Sequence, residues 1–352
     1  MSDLNVFPVC VRCFTFNHAP FIKNAMDGFC MQHTTFPFVC VIVDDASTDG
    51  EQDVISSFLS EHFNLDDDTV VRKEETDDYI LTFARHNTNE NCFFAVYNLK
   101  YNHYSIKKDK FSYFSEFHDY ANYVALCEGD DYWIDPLKLQ KQVDYLESHP
   151  DCSLVHTRFN YLYVNKNQIK DDSVANNNIL SYGEGNDSIA FGILNDNHYR
   201  IQTATILFNR LKFDKIRSFE TEERGLFLMG DTQLWMSLLS VGYIHYIPEV
   251  TTVYRIMEES STRSKSMAKR LRFALSAAEM RYFYACKYGL DKEFFYKKYL
   301  KFLYSYLMFD KQYETNSRIV TKKNTRIKSV IVNNSWLRAL GRSFLTFYFN
   351  LR

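Results

Sequence analysis

The sequence predicts an α/β fold built on a mostly parallel central sheet with helices on its faces. Three observations carry this expectation. The run Phe38-Val39-Cys40-Val41-Ile42-Val43 is apolar throughout, as a parallel strand covered on both faces must be. A strand-like stretch, Asn5 to Phe14, precedes it, and Phe21, Ile22, Ala25, Met26 and Phe29 recur between the two at helical spacing. Finally, two apolar runs end in acids: Val43 leads into Asp44-Asp45, and Tyr123-Val124-Ala125-Leu126-Cys127 leads into Glu128, Asp130 and Asp131. The crevice beyond strand C-termini is where open α/β sheets bind ligands.

The elements follow in order. Thr15-Phe16-Asn17-His18-Ala19 is the turn after the first strand, and Pro20 suits the first position of the next helix. After Asp45, Thr48 and Glu51 have capping-box spacing, ahead of a helix whose apolar face is Val54, Ile55, Phe58 and Leu59. An acidic stretch, Asp66 to Asp78, reads as exposed, Tyr79–Phe83 as a strand and Asn91–Lys100 as a helix. Lys107-Lys108-Asp109-Lys110 reads as a loop tip. Asp135 and Pro136 open a helix carrying Leu139, Val143 and Leu146 that His149-Pro150 stops. Asp151–Val164 reads as a strand, Asn165–Asp187 as a loop, and Ile201–Phe208 as an alternating strand. Gly230-Asp231 opens a helix with Leu234, Trp235, Leu238 and Leu239. Tyr243–Pro248 and Val250–Arg255 are late strands, and from Ser266 to about Phe309 the pattern is helical.

Composition bounds the rest. With 352 residues, the chain is expected to hold about two domains, or one large domain with an appendage. A net charge of −3 excludes nucleic-acid binding driven by bulk charge. Several of the eight cysteines sit inside apolar strand-like runs, where a thiol acts as a small hydrophobe. Cys10 and Cys13 have the spacing of half a zinc site, but alternation along a strand points them to opposite faces. With no leader before the first strand and no run long enough to span a membrane, the expected location is cytoplasmic.

Two stretches point to chemistry. A buried strand that ends in clustered carboxylates is costly unless positive charge sits there. Asp130 and Asp131 are therefore candidate ligands for a divalent cation with a phosphorylated ligand; the competing reading is a solvated acidic turn. At the other end, Asn316 to Arg352 contains no Asp or Glu and eight Lys or Arg. There Trp336, Leu337, Leu340, Phe344, Phe347, Tyr348 and Leu351 share one helical face. Such a helix suits an anionic membrane surface, here the inner face of the plasma membrane, or packs on the protein itself.

Taken together, the Thr15-Phe16-Asn17 turn, Val41-Ile42-Val43-Asp44-Asp45-Ala46-Ser47-Thr48-Asp49, Ala125-Leu126-Cys127-Glu128-Gly129-Asp130-Asp131-Tyr132-Trp133 with Asp135-Pro136-Leu137-Lys138-Leu139-Gln140-Lys141-Gln142, Gly230-Asp231 and Val253-Tyr254-Arg255 form an ordered set. This set resembles the family-2 glycosyltransferases of the bacterial cell-surface polysaccharide type, over roughly residues 6 to 256. The resemblance implies a GT-A nucleotide-sugar-binding fold, a hexosyltransferase-like inverting activity and Mg²⁺ or Mn²⁺. It implies a nucleotide-sugar donor, foremost a UDP-sugar, and a saccharide or lipid-linked saccharide acceptor. Residue by residue, it places Thr15, Phe16, Asn17 and Asp45 at the nucleotide, with Phe16 under the base and Asp45 accepting from it. It matches Asp130 and Asp131 to the acidic DXD-type metal motif, with Asp131 the metal ligand and Asp130 at ribose or metal, and Arg255 to the donor diphosphate. Asp231 matches the catalytic base; an N-cap role competes with that assignment.

The implied organisation is a GT-A domain over 1–260, with a donor half about 1–135 and an acceptor half about 136–260, then a helical region over 261–352 with the basic tail. Relatives commonly carry a His two positions after Tyr-Arg; here that position is Met257, followed by Glu258-Glu259, which leaves the third metal ligand unassigned. Arg263 and Lys265 are further candidates for the diphosphate, and Tyr101–Phe117 reads as an insertion. Two other functions are expected alternatives: a nucleotide-sugar binder without turnover, and a sugar nucleotidyltransferase. The glycine-free turn Thr15-Phe16-Asn17-His18 argues against the second, which needs a Gly-rich triphosphate cradle.

Overall fold

The computed structural model describes residues 7–66, 71–171, 179, 182, 185–195, 199–223, 226–257, 266–309 and 333–341, with side chains of 217–223 left aside. Arg263, Lys265, Glu258 and Glu259 lie outside the described residues. The chain forms two compact units. The first holds Met1–Asn186, Arg200–Arg217 and Leu238–Ile256; the second holds Asp187–Tyr199, Ser218–Ser237 and Met257–Arg352.

The first unit is built on one mixed sheet. Its centre is parallel: β5 (Cys92–Leu99), β2 (Phe38–Asp44), β1 (Val9–Thr15) and β6 (Tyr123–Leu126) lie side by side in that order. Further strands extend it on both sides. On one edge lie β4 (Tyr79–Arg85) and β3 (Arg72–Glu75). On the other lie β10 (Leu207–Asn209), β8 (Cys152–Tyr163), β11 (Tyr243–Ile256) and β7 (Tyr132–Trp133), with β8 and β11 parallel to each other and β9 (Gln168–Asp171) paired to β8.

Helices cover both faces of the parallel centre. One core gathers Val9, Val11 and Cys13 with apolar residues of α1 (Ile22–Cys30), α2 (Glu51–His62) and α4 (Lys138–Ser148). The other gathers Cys10, Val39, Val41 and Val43 with Phe114 and Phe117 of α3 (Ser112–His118). Strand alternation thus sends Cys10 and Cys13 to opposite cores. All eight cysteines are free thiols.

Several sequence expectations are corrected here. Asn91–Lys100 is not a helix: Cys92–Leu99 is a central strand, parallel to β2 from Phe38↔Cys92 to Asp44↔Asn98. An apolar run of this length fits either element by periodicity, and its aromatic and Val content favours a strand once both faces are covered. Residues 165–187 are not all loop, since Gln168–Asp171 returns along β8 and Asn186 opens a helix to Leu194. Of the strand expected at Ile201–Phe208, Thr203–Thr205 is a 3₁₀ turn and only Leu207–Asn209 is strand. The two late strands are one, β11, broken in register between Ile247 and Val250 where Pro248 withholds a backbone donor. Thr48 does not cap α2: the residue before the helix is Gly50, at φ 89°, and Glu51 reaches elsewhere.

In the second unit, two long helices, Met267–Lys287 and Lys292–Phe309, follow one another across Gly289, at φ 71°. The first is capped by the Ser266 hydroxyl, which accepts from the Lys269 N–H.

Candidate active site

The site is assembled at the C-terminal ends of β1, β2 and β6. The Thr15 strand end pairs with Asp44, and Gly129 donates its N–H to the Phe14 carbonyl at 3.1 Å. The acid turn therefore lies against the turn after β1. Gly129 is required there, because a Cβ at this position would stand 2.1 Å from Thr15 Oγ1. This contact sets Thr15, at the head of the turn after β1, against the acid turn. Phe16 is 41% exposed, an aromatic face left open at the rim.

Glu51 ties the turn after β1 together, a role that capping-box spacing concealed. Its carboxylate accepts from the Thr15 hydroxyl, from the His18 N–H at 2.8 Å and from the Ser47 hydroxyl at 2.8 Å. Burial raises its pKa, while these donors oppose the shift. Asn17, at φ 57°, accepts the Thr48 N–H at 2.8 Å and donates its own N–H to Ser47 Oγ at 2.8 Å. Asp44 holds the other side of this turn, accepting the Ser47 N–H at 3.0 Å and Gln52 Nε2 at 2.6 Å.

Asp45 is 1% exposed and already engaged. Oδ1 accepts the His103 N–H at 2.7 Å; Oδ2 accepts the Tyr104 N–H at 3.2 Å and Lys110 Nζ at 2.8 Å. Lys110 also stands 5.0 Å from the Phe14 ring centroid. The segment that reads as an insertion is thus anchored on Asp45, whose carboxylate is buried under those three donors. Lys110→Met is expected to leave a buried charge under-compensated and to loosen this segment by about 1–3 kcal/mol. Faster hydrogen exchange at the His103 and Tyr104 amides, partly restored by adding Asp45→Asn, is the expected result. Unchanged exchange in the single variant would show that the ion pair holds nothing.

Asp131 is buried, and its Oδ1 accepts the Arg255 N–H at 2.9 Å. Oδ2 has no hydrogen-bond partner among the described residues. Burial, and then the neighbouring Asp130 charge, push its pKa well above the usual carboxylate range. Asp130 is half-buried and Glu128 exposed. The guanidinium of Arg255 serves the protein: it donates to the Asp130 carbonyl and to Asn24 Oδ1 at 2.6 Å. It also packs against the Phe21 and Tyr132 rings, at 4.9 and 4.5 Å. Arg255 therefore joins α1, β11 and the acid turn and fixes the orientation of Asp131.

Behind the turn stands a buried network that sequence reading missed. Lys138 Nζ lies 4.3 Å from the Trp133 ring and donates to Gln142 Oε1 at 2.7 Å. Gln142 Nε2 donates to the Val155 and Thr205 carbonyls, and Trp133 Nε1 to the Ala204 carbonyl at 2.8 Å. Burial brings the Lys138 pKa down to about 7. An unfolded lysine titrates near ~10.4, so between these values the unfolded chain binds the extra proton. Stability is then gained as pH rises through the window and lost as it falls towards 7. Urea unfolding should show wild type gaining on Lys138→Met between pH 7 and pH 9; parallel stabilities would contradict this.

Asp231 belongs to the second unit and is the first residue of the helix Asp231–Leu239. Its surface is open to solvent, yet enough protein surrounds the carboxyl that desolvation raises its pKa. Met257, also in the second unit, follows the end of β11.

Among the described residues, no three His, Cys, Asp or Glu side chains form a metal cage. Mg²⁺ and Mn²⁺ sites at a diphosphate need no such cage, because one or two carboxylates and the ligand's own phosphates suffice. The donor set of Asp131 and Asp130 fits that pattern: hard oxygens, on a buried aspartate beside a second acid.

No family model matches the chain. A stretch of 145 residues, 40% of the chain, is 32% identical to uncharacterized proteins of Mycobacterium tuberculosis and Mycobacterium bovis. It spans 32% of those relatives' length. Among solved structures, the chain is similar to S. aureus TarS 1–349 in complex with UDP-GlcNAc, at TM-score 0.48 and 12% identity over 90% of this chain and 77% of that one. It is also similar to the mannosyltransferase PcManGT of Pyrobaculum calidifontis in complex with GDP-Man and Mn²⁺, at TM-score 0.48 and 12% identity over 96% and 86% of the two chains.

Proposed function

We propose that the protein is an inverting glycosyltransferase of the GT-A type. It would move a sugar from a nucleoside diphosphate to a hydroxyl of a saccharide or lipid-linked saccharide. The observation that carries this reading is Asp131: a buried carboxylate at the C-terminal end of a parallel sheet, oriented by the Arg255 N–H, with a raised pKa and a second acid, Asp130, beside it. A carboxylate so placed beside Asp130 is stabilised by a cation.

The division of work follows from the residues. Phe16 offers its exposed ring to the nucleotide base, and the Thr15–Asn17 turn, held by Glu51 and Ser47, keeps that ring in place. Asp131, with Asp130, would hold Mg²⁺ or Mn²⁺. When bound, that cation neutralises the diphosphate and makes it a better leaving group. Asp231 is the proposed general base. It takes the proton of the acceptor hydroxyl while the oxygen forms its bond to the anomeric carbon. The bond from that carbon to the diphosphate breaks, and the diphosphate leaves with the electron pair.

The test is release of nucleoside diphosphate from a panel of UDP- and GDP-sugars with Mn²⁺ and mixed saccharide acceptors. Acceptor-dependent release supports the proposal. Donor binding with no release from any pair would overturn it in favour of a non-catalytic binder.

A further inference from the structure

We infer that Tyr104, on the segment that reads as an insertion, is a further donor-binding residue whose ring stacks on the nucleobase. The inference rests on the nucleoside-diphosphate donor proposed above. It starts from the order of the strand ends. From the acid turn after β6, the sheet runs to β1 with the Phe16 turn, to β2 with Asp45, and to β5, which leads into residues 100–110. Neighbouring strands stand about 4.8 Å apart, so these three steps span about 14 Å. That is comparable with a nucleoside diphosphate laid across the strand ends, its phosphates at the acid turn and its base beyond Phe16.

The segment at the far end is tightly bonded. Asp45 joins it to the turn after β1: its N–H donates to the Thr15 carbonyl at 3.1 Å, and its carbonyl accepts Asn102 Nδ2 at 3.2 Å. Its carboxylate holds the His103 and Tyr104 amides and Lys110 Nζ. Within the segment, Asn102 Oδ1 accepts the Ser105 N–H at 2.7 Å, and the His103 carbonyl accepts the Lys108 N–H at 2.9 Å. The tip closes at Lys107, in left-handed backbone at φ 58°, whose N–H reaches the Tyr104 carbonyl at 3.2 Å. Such a conformation persists where the surrounding bonds over-determine it.

On this fixed backbone the Tyr104 side chain is 79% exposed, so the fold makes little use of its ring. The ring is turned towards the sheet end. Lys110 Nζ stands 5.5 Å from its centroid, while bonded to Asp45 and 5.0 Å from the Phe14 ring. Because the Asp45 carboxylate is covered, the chain presents an aromatic ring at the end of β2 in place of an acid. Of the donor's parts, the base alone has a π-face to stack on such a ring. Phe16, exposed on the adjoining turn, supplies a second ring at the same sheet end.

Isothermal titration calorimetry of the full chain with UDP, GDP and inorganic pyrophosphate, each with Mn²⁺, tests this. Tyr104→Ala should weaken UDP and GDP binding by about tenfold or more and leave pyrophosphate binding unchanged. At so exposed a position it should also leave the thermal midpoint unchanged. Tyr104→Phe, which keeps the ring, should bind as wild type does, and so should Ile106→Ser, exposed two residues along. Nucleotide affinity unmoved in Tyr104→Ala would overturn the inference and leave the transferase reading standing. Equal losses of nucleotide and pyrophosphate affinity would also overturn it, assigning Tyr104 to the fold. Tyr104-dependent nucleotide binding without sugar transfer from any donor–acceptor pair would support the inference and overturn the transferase reading instead. A wild type that binds none of the three would overturn both.

Discussion

Asp131→Asn is expected to abolish Mn²⁺-dependent donor binding, by about 100-fold or more, while leaving the fold intact. Asparagine keeps the shape and still offers Oδ1 to the Arg255 N–H. What it removes is a charge that the buried turn disfavours. The sign of the stability change follows from the raised pKa. A folded-state pKa above the unfolded value means that the group's contribution is lost as pH rises through the window, so at neutral pH this buried carboxyl weakens the fold. The Asn variant should therefore melt higher than wild type without divalent ion. It should also fail to show the rise that wild type gains from Mn²⁺ plus nucleotide sugar. Differential scanning fluorimetry with and without both ligands checks both halves. A variant that melts lower yet keeps its ligand-induced rise would make Asp131 a structural residue and remove the cation from this turn. A stability cost accepted at the working site is common where binding needs a group that folding alone would exclude.

Asp231→Asn is expected to lower turnover by about 10²–10⁴-fold, the range for losing a general base, with donor affinity little changed. The pH profile supplies the sharper test. Desolvation places this carboxyl above the usual aspartate range, and a base works only when ionised. In wild type the rate should therefore fall on the acid side at a pH higher than an ordinary aspartate would give, and in the Asn variant that limb should vanish. Measuring kcat/KM from pH 5 to pH 8 for both proteins decides it. Retained turnover in the variant would return Asp231 to a purely structural place at the head of its helix.

How far residues alone carried the reading depends on whether local pattern was sufficient. Phe38–Val43 announced a covered parallel strand, and Tyr123–Cys127 announced a strand that ends in acids; both stand in the parallel centre as β2 and β6. Cys92–Leu99 misled because an eight-residue apolar run carries no period of its own; its neighbours β2 and β4 decide that it is extended. The split of β11 at Pro248 could not be repaired locally either, since the pairing with β8 carries the chain across the irregularity.

The same contrast governs the site. Acid clusters at strand ends are short-range features that the residues show by themselves, whereas Phe16 and Asp231 were singled out by the family resemblance. The partners of those groups are long-range. Glu51 reaches Thr15 across 36 residues, Lys110 reaches Asp45 across 65, and the Arg255 backbone reaches Asp131 across 124. Nothing in the spacing of Thr48 and Glu51 tells a cap from a tether, and nothing in Asp45 itself tells an open acceptor from one already engaged by the chain. Local sequence thus set the elements and the chemical groups. Which carboxylate is engaged, and by which part of the chain, was decided by tertiary packing, because burial and long-range hydrogen bonds exist only once the sheet has assembled.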